Sequence, residues 1–566
     1  LAYSLSIESD KVCRMHDGVV LRADTYAPKG EGRWPVLLCR TPYGKLHPRY
    51  VTMAKRLSAA GYLIVVQDVR GRNASGGDWT WHMSAEAGPI EAKDGYETCE
   101  WAARLPGADG QVGTFGNSYP SWFTWQMAAA QPPALKAIAT SGFSPRILEC
   151  TFGVFETGIR LRWQHMMAVS SRARAGDIGY PATVEEALHN WDALLRGRWL
   201  WHLPLDDVPD TLFGPDAARQ RQYWRDISRE LWALDALHPK VKVPTLTLTG
   251  WWDRLSTCCA HFTGMRANGP AQTRDSHRLV IGPWLHDVEG REDWAGPRDY
   301  GPAARLDLVA ELLRFYDYHL KGIDTGIAQE PPVRLYLAND NAWSSWADWP
   351  PPGVAPKPLY LSGGGQANTP TGDGALRSEA GPDGTDSYLY DPADPVPSLV
   401  GSDGQAAACD QRPVCGRHDI LVYQTAVVTR AMTLAGRPTC VLWVAADTPD
   451  TDIFARLVEV GADGTAFNLC QGLVRLRYRT GFDREVPLVP GEATEITFDL
   501  PPVGIILVPG TRLRLDITSS DFPTFDRNHN TGAVFHSDTA LRPAHVTLLH
   551  GASHPSRIVL PVVAHG

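Results

Sequence analysis

Several things are scarce in this chain, and each shortage excludes something. There is no basic tract: 54 Lys and Arg stand against 63 Asp and Glu, a formal charge of −9. Without a positive footprint, nucleic acid and anionic membrane surfaces are not the expected partners. No apolar run is long enough to cross a bilayer. Leu1 to Asp10 lacks the basic-then-apolar order of a signal peptide, so a cytoplasmic protein is expected. The chain begins with Leu and not Met, and a trimmed leader stays open. Paired metal ligands are also missing. Ten cysteines lie scattered from Cys13 to Cys470 with no CxxC, and adjacent Cys258 and Cys259 suit neither a zinc knuckle nor an easy mutual disulfide. Reduced, mostly buried thiols are expected. No His, Cys and carboxylate set has ligand spacing, so no metal and no cofactor is expected. No fixed-period repeat is evident.

What is present is an ordinary globular composition, 43% apolar and 21% charged, in 566 residues. That length implies two or three domains. Residues 10–27 read as a hairpin turning at Asp17-Gly18, and Pro35 to Cys39 as a buried strand running into a Pro/Gly loop at 40–45. Met53, Ala54, Leu57 and Ala60 have helical spacing that Gly61 stops. Tyr62 to Val66 is a second strand, Asp94 to Arg104 a helix, and Val112 to Phe115 and Leu135 to Thr140 further strands. Strands alternating with helices predict a mainly parallel sheet covered on both faces.

The texture changes between Ser144 and Leu237, where helical patterns carry Trp163, Trp191, Trp199, Trp201, Trp224 and Trp232. An insertion of this kind suits a cap over an active site, although each tryptophan singly suits plain packing. The sheet resumes at Val243 to Gly250 and Arg278 to Gly282, and Leu306 to Leu320 is an amphipathic helix. After Pro331 the chain turns β-rich. Gly, Pro, Asp and Ser crowd 350–405, and short alternating strands follow: Thr439 to Val444, Phe454 to Val460, Leu473 to Tyr478, Thr494 to Leu500, Thr511 to Ile517 and Ser556 to Val563. They predict a β-sandwich or jelly roll. The expected divisions are 1–143 and 239–340 for the α/β domain, 144–238 for the cap and 341–566 for the β domain.

Gly116-Asn117-Ser118-Tyr119 sits where a buried strand ends and an apolar helix begins. A serine at such a turn is lifted off the sheet edge, with a helix N-terminus aimed at it. An ordinary capping serine fits the same place. Asp253 and His286 follow two later strands, so three polar residues stand at the carboxyl edge of one sheet, in the order Ser, Asp, His. Alone, Asp253 could cap a helix near Leu255, and His286 could be a loop histidine.

These segments carry a resemblance. Thr41 to Tyr43, Gln67 to Gly71, Gly116 to Tyr119, Gly250 to Asp253 and Gly282 to His286, with Tyr388 to Pro397 and Phe522 to Asn528 far downstream, are similar to the bacterial cocaine-esterase-like serine hydrolases. That family is related to X-prolyl dipeptidyl aminopeptidases and α-amino acid ester hydrolases. The resemblance implies an α/β-hydrolase fold with an inserted helical cap and a C-terminal β jelly roll. It implies Ser118 as nucleophile, His286 as general base and Asp253 as its orienter. The tetrahedral oxyanion needs two donors. One is expected from the backbone N–H of Tyr119, and the family's tyrosine hydroxyl falls on Tyr43. Trp163, Trp252 and Leu255 are expected to line the substrate pocket. Pro120 and Ser121 depart from the family pattern, which usually has glycine at the second position. Because Tyr119 precedes a proline, its backbone is expected to differ slightly from that of its relatives, with an effect on substrate range.

The expected function is a serine carboxylesterase acting on small acyl or aromatic esters through an acyl-enzyme. The alternative is amide chemistry, as in an acylase, amino ester hydrolase or dipeptidyl peptidase. That chemistry needs carboxylates to hold a substrate ammonium, and Glu149, Glu156, Asp206 and Asp207 lie in or beside the cap. A non-catalytic binding protein on the same scaffold is a remote third. The expected partner is a small ester, and a homodimer is left open.

Overall fold

The computed structural model describes residues 3–84, 86–177, 179–286, 288, 294–399 and 408–564. Its first half is a ten-stranded sheet. Strands β1 (Leu5–Arg14) and β2 (Val20–Pro28) form the antiparallel hairpin at one edge. The next strands are β3 (Trp34–Thr41), β4 (Leu63–Asp68), β5 (Ala108–Asn117), β6 (Leu135–Ser141), β7 (Thr245–Gly250) and β8 (Arg278–Gly282). A two-stranded ribbon, β9 (Trp294–Ala295) and β10 (Arg298–Asp299), stands outside the sheet. Strands β11 (Val333–Leu337) and β12 (Ala342–Trp346) complete the far edge. The spatial order is β1-β2-β4-β3-β5-β6-β7-β8-β11-β12, parallel from β4 through β11.

Side chains of a strand point alternately to opposite faces, so a buried parallel sheet needs helices on both. Leu37 and Cys39 of β3 and Ile64 and Val66 of β4 face a core that includes Tyr50, Met53, Val309 and Phe315. Those partners belong to α1 (Pro48–Ala59) and, further on, to the amphipathic helix 308–321. Val36, Leu38, Leu63 and Val65 face the other way, onto Cys99 of α2 (Ala87–Ala103) and Trp122 and Phe123 of α3 (Tyr119–Ala129). Close packing explains Gly113 in β5: a Cβ there would stand 2.6 Å from the Tyr316 ring and 2.9 Å from Leu37.

Among the described residues, only helices and turns fill the connection from β6 to β7. They are α4 (Leu148–Thr151), α5 (Thr157–Arg174), α6 (Val184–Asn190), α7 (Arg196–Trp199) and α8 (Ala217–Arg225), with a π-helical turn (Trp191–Leu195) between α6 and α7 and 3-10 turns between α7 and α8. Thr183 and Glu186 close α6 with reciprocal side-chain-to-backbone hydrogen bonds. Trp191 and Trp224 are fully buried in this segment, whereas Trp201 is exposed. Helices α9 (Ala260–Asn268) and α10 (Leu308–Lys321) follow β7 and β8.

Residues 354–563 form a second, predominantly antiparallel sheet system. The strand at 452–460 lies between those at 466–475 and 512–518 and pairs with both. Two expectations change here. The stretch 350–405, crowded with turn formers, holds the strands Val354–Ser362, Ala375–Arg377 and Gly384–Tyr390. The first and third pair with strands at 557–563 and 544–550, a distant order that local composition does not carry. Residues 400–405 of that stretch lie outside the described residues. The strand expected at 473–478 ends at Arg475 and passes into a 3-10 turn.

The β domain is no appendage. Leu279, Ile281, Val333 and Leu335 of the hydrolase sheet share one continuous core with Leu421, Leu442 and Leu515. Among the described residues, no helix is long and apolar enough to cross a membrane.

Candidate active site

The site starts from a strained turn. Ser118 has φ 63° and ψ −129°, between the end of β5 and the first residue of α3. Such a conformation costs a non-glycine residue about 1–3 kcal/mol and persists only when its surroundings hold it. Here the Ser118 N–H donates to Ser141 O at 2.9 Å, and the Ser121 N–H donates to Ser118 O at 2.8 Å. Ser121 Oγ accepts from the Ser141 N–H at 3.0 Å and lies 2.7 Å from the carbonyl oxygens of Gly116 and Ser141. The serine that replaces the family glycine therefore ties the turn to β6. Gly116 must be glycine, because a Cβ would meet the Pro120 backbone at 2.6 Å. Tyr119 opens the helix despite the proline after it, and helix geometry leaves its first-turn N–H without an intrahelical acceptor.

Asp253 follows β7 across the Trp251-Trp252 turn, its side chain fully buried. Its Oδ1 lies 2.9 Å from His286 Nδ1 and accepts from the Leu255 N–H at 2.8 Å. Burial opposes its charge, but the charge and hydrogen bond of His286, then the Leu255 amide and Arg254, outweigh that and hold its carboxyl below the ordinary range. His286 reaches this position from the loop after β8. Gly142 makes room for it: φ is +59°, and a Cβ would stand 3.0 Å from the imidazole and 2.8 Å from Asn117 Oδ1.

Ser118, Asn117, Tyr119, Tyr43 and His286 line one cavity of about 240 Å³. Tyr43 comes from the loop after β3. The Lys45 N–H donates to Asp68 Oδ1 at 2.7 Å and the Tyr43 N–H to Thr41 Oγ1 at 3.1 Å, which holds that loop down. Burial raises the Asp68 carboxyl to about 6, against the amides of Lys45 and Ala74. The Trp163 indole N–H lies 3.4 Å from the Tyr43 hydroxyl oxygen. The Tyr119 ring turns away from the nucleophile: its hydroxyl accepts from the His82 N–H at 2.8 Å and the ring stacks on Phe123.

Of the three expected pocket residues, Trp163 and Leu255 line this cavity and Trp252 does not. Trp252 is buried against Tyr300, with its indole N–H on Asn468 O at 3.1 Å, so it seals the hydrolase domain against the β domain. Proximity to Asp253 in sequence misleads here, since the tight turn sends the two side chains different ways.

The carboxylates weighed for an ammonium site do not converge. Glu149 lies 3.8 Å from Arg437, and Asp206 pairs with Arg225 and His536. Asp207 is exposed. Glu156 is buried between Arg160 and Arg254. Sequence reasoning missed the residues that shape the cavity's far side: His82, Arg160 and Arg254. Arg254 adjoins Asp253 and Arg160 lies three positions before Trp163, the one signal available. His82 sits in a long irregular loop and had none.

Residues 17–287 match the family model described as X-Pro dipeptidyl-peptidase (S15 family). Residues 325–559 match the X-Pro dipeptidyl-peptidase C-terminal non-catalytic domain. The chain is 34% identical to cocaine esterase of Rhodococcus sp. (strain MB1 Bresler), over 99% of each chain. Its fold is similar to that of an α-amino acid ester hydrolase at TM-score 0.79, with 24% identity over 99% of this chain and 97% of that one. It is also similar to a CocE/NonD family hydrolase from Staphylococcus aureus at TM-score 0.68, with 18% identity over 99% and 94%.

Proposed function

Since the chain belongs to the CocE/NonD family of serine hydrolases, with S15 hydrolase and PepX-type C-terminal domains, we propose that it is a carboxylesterase of small acyl or aromatic esters. The observation that carries this reading is the shared cavity: Ser118, at a strained turn, and His286, bonded to a buried Asp253, line one space.

In the proposed reaction His286 Nε2 takes the Ser118 proton as Oγ attacks the ester carbonyl. Asp253 fixes the imidazole through Nδ1 and stabilises the imidazolium that forms. The carbonyl oxygen, negative in the tetrahedral intermediate, accepts from the Tyr119 N–H and the Tyr43 hydroxyl. Collapse releases the alcohol, which leaves with the proton from His286. Water then attacks the acyl-enzyme by the same route in reverse and frees the acid.

Ester chemistry is favoured over chemistry on amino-terminal substrates by the cavity wall. Among the described residues that line it there is no Asp or Glu, so no described carboxylate there would pair with an ammonium group. Turnover of 4-nitrophenyl butyrate, with fluorophosphonate labelling and peptide mapping, tests the reading. Ser118→Ala should remain folded, lose the label and lose more than about 99% of the rate. A label on another residue, or a variant retaining several per cent of the rate, would reject Ser118.

A further inference from the structure

The cavity that holds Ser118 has an uneven charge. Its wall includes four arginines, Arg49, Arg160, Arg162 and Arg254, and no carboxylate among the described lining residues. Two of them are set into the wall: Arg160 is buried, 4% exposed, and the Arg254 side chain is partly buried, 16% exposed. Both lean on a single anion. Arg160 Nε lies 2.9 Å from Glu156 Oε2, while Arg254 Nη1 lies 3.1 Å from each Glu156 oxygen. Arg162 differs, because Asp192 matches it with two hydrogen bonds of 3.1 and 3.0 Å. The Tyr223 ring fixes the Arg160 guanidinium from one side, with its carbon 5.2 Å from the ring centre.

Two guanidiniums thus share one carboxylate at the floor of the site. The charge of Asp253 also offsets that of Arg254, while its hydrogen bonds go to His286 and the Leu255 amide. His82 adds a second observation. It is 3% exposed and lines the same cavity, and its Nδ1 has no hydrogen-bond partner among the described residues. Burial first, then Arg160 and Arg254, push its pKa well below the ordinary histidine value, so it stays neutral. It is therefore a hydrogen-bonding group without its own charge, set among Trp232, Phe143 and Tyr119.

A guanidinium at the wall of a cavity gains from an anion that enters with the substrate. The planar fork of arginine fits a carboxylate better than it fits any neutral ester group. Resting on the carboxylesterase reading above, we propose that the substrate is an ester that also carries a carboxylate, seated against Arg160 and Arg254 with His82 beside it. A cationic ester would meet like charge in the same place. The carboxylate belongs either to the acid or to the alcohol half, and the two sources are separable.

The test compares kcat/KM within matched pairs by pH-stat. Monoethyl adipate is set against ethyl hexanoate for the acid side, with ethyl 6-aminohexanoate as the cationic control. For the alcohol side, 4-acetoxybenzoate is set against 4-methylphenyl acetate. In one arm the anionic ester should be preferred by about tenfold or more, the scale of a charge-assisted hydrogen bond. The cationic ester should be the poorest. In Arg254→Gln and in Arg160→Gln the anionic-to-neutral ratio should fall toward one, whatever happens to the absolute rates. Should Arg160→Gln fail to fold, the more exposed Arg254→Gln carries the test. If neutral esters turn over and no anionic partner is favoured in either arm, the proposal is overturned and the esterase reading stands. The same holds if the preference survives both substitutions. If the folded protein hydrolyses none of these esters, the esterase reading falls and takes the proposal with it.

Discussion

Replacing Tyr43 by Phe removes one oxygen atom and separates two energies that the structure sets far apart. If the hydroxyl is the second oxyanion donor, its loss is felt only when charge develops on the carbonyl oxygen. One such donor is typically worth about 3 kcal/mol, so kcat should fall by about a hundredfold or more. KM should move little, because the neutral carbonyl of the bound ester gains little from the bond. The folded state loses much less. The hydroxyl accepts from the Trp163 indole N–H at 3.4 Å, beyond the ordinary N–H···O range, and such a bond contributes at most about 1 kcal/mol. In a chain of this length the large unfolding entropy turns that into a Tm change of about 1 °C. Steady-state hydrolysis of 4-nitrophenyl butyrate and a thermal melt on the same sample read both numbers. A variant with near-native kcat, or one that loses activity only through KM, would show that another group fills the hole.

Glu156 and Trp252 give two further checks. Burial pushes the Glu156 carboxyl up from 4.5, but Arg254 and Arg160 reverse this and hold it lower in the folded protein. A depressed carboxyl contributes stability above its unfolded value, and that contribution is lost as pH falls through the folded one. Glu156→Gln should therefore cost about 3–5 kcal/mol near neutrality, and the gap to the native protein should narrow in denaturant melts below pH 4.5. An equal gap at pH 7 and pH 4 would contradict the ion-pair account. Trp252→Ala should cost about 3–5 kcal/mol through the lost contact with Tyr300 and Asn468, and it should leave the ranking of acyl groups unchanged. Trp163→Phe should do the opposite, changing the ranking with little loss of Tm.

Much of the fold was readable because its signals are local. Val36 to Cys39 and Leu63 to Val66 are apolar on both faces, which only a doubly covered sheet accepts. The parallel sheet follows from runs of that kind and the C-terminal β domain from short alternating ones, while the α/β-hydrolase fold was implied by the family resemblance. The strands at 354–362 and 384–390 were hidden, because their order comes from partners about 160–200 residues later. Helix α2 begins at Ala87, seven residues before the expected start, in a stretch where Gly88 and Pro89 mask the pattern. In the site, strand ends point to Ser118, Asp253 and His286. Arg160, Arg254 and His82 could not be read this way. They reach the cavity from a cap helix buried nearly all round, which hides its cavity face, and from a tight turn and a long loop, which have no period that fixes direction.

One contact has a consequence for how the chain matures. The N–H of Gly158, in the first turn of α5, donates to Pro523 O at 2.7 Å. A Cβ at Gly158 would stand 2.8 Å from that same oxygen. Asp526 returns the bond, donating its N–H to Phe155 O at 2.6 Å. Helix α5 carries Arg160 and Trp163, so the wall of the cavity is clasped by residues translated more than 350 positions later. On the ribosome the nucleophile, the base and its partner emerge well before the clasp that frames them. The nascent hydrolase domain carries its chemistry through about 240 further residues without the clasp, and the loop that holds Pro523 and Asp526 supplies it.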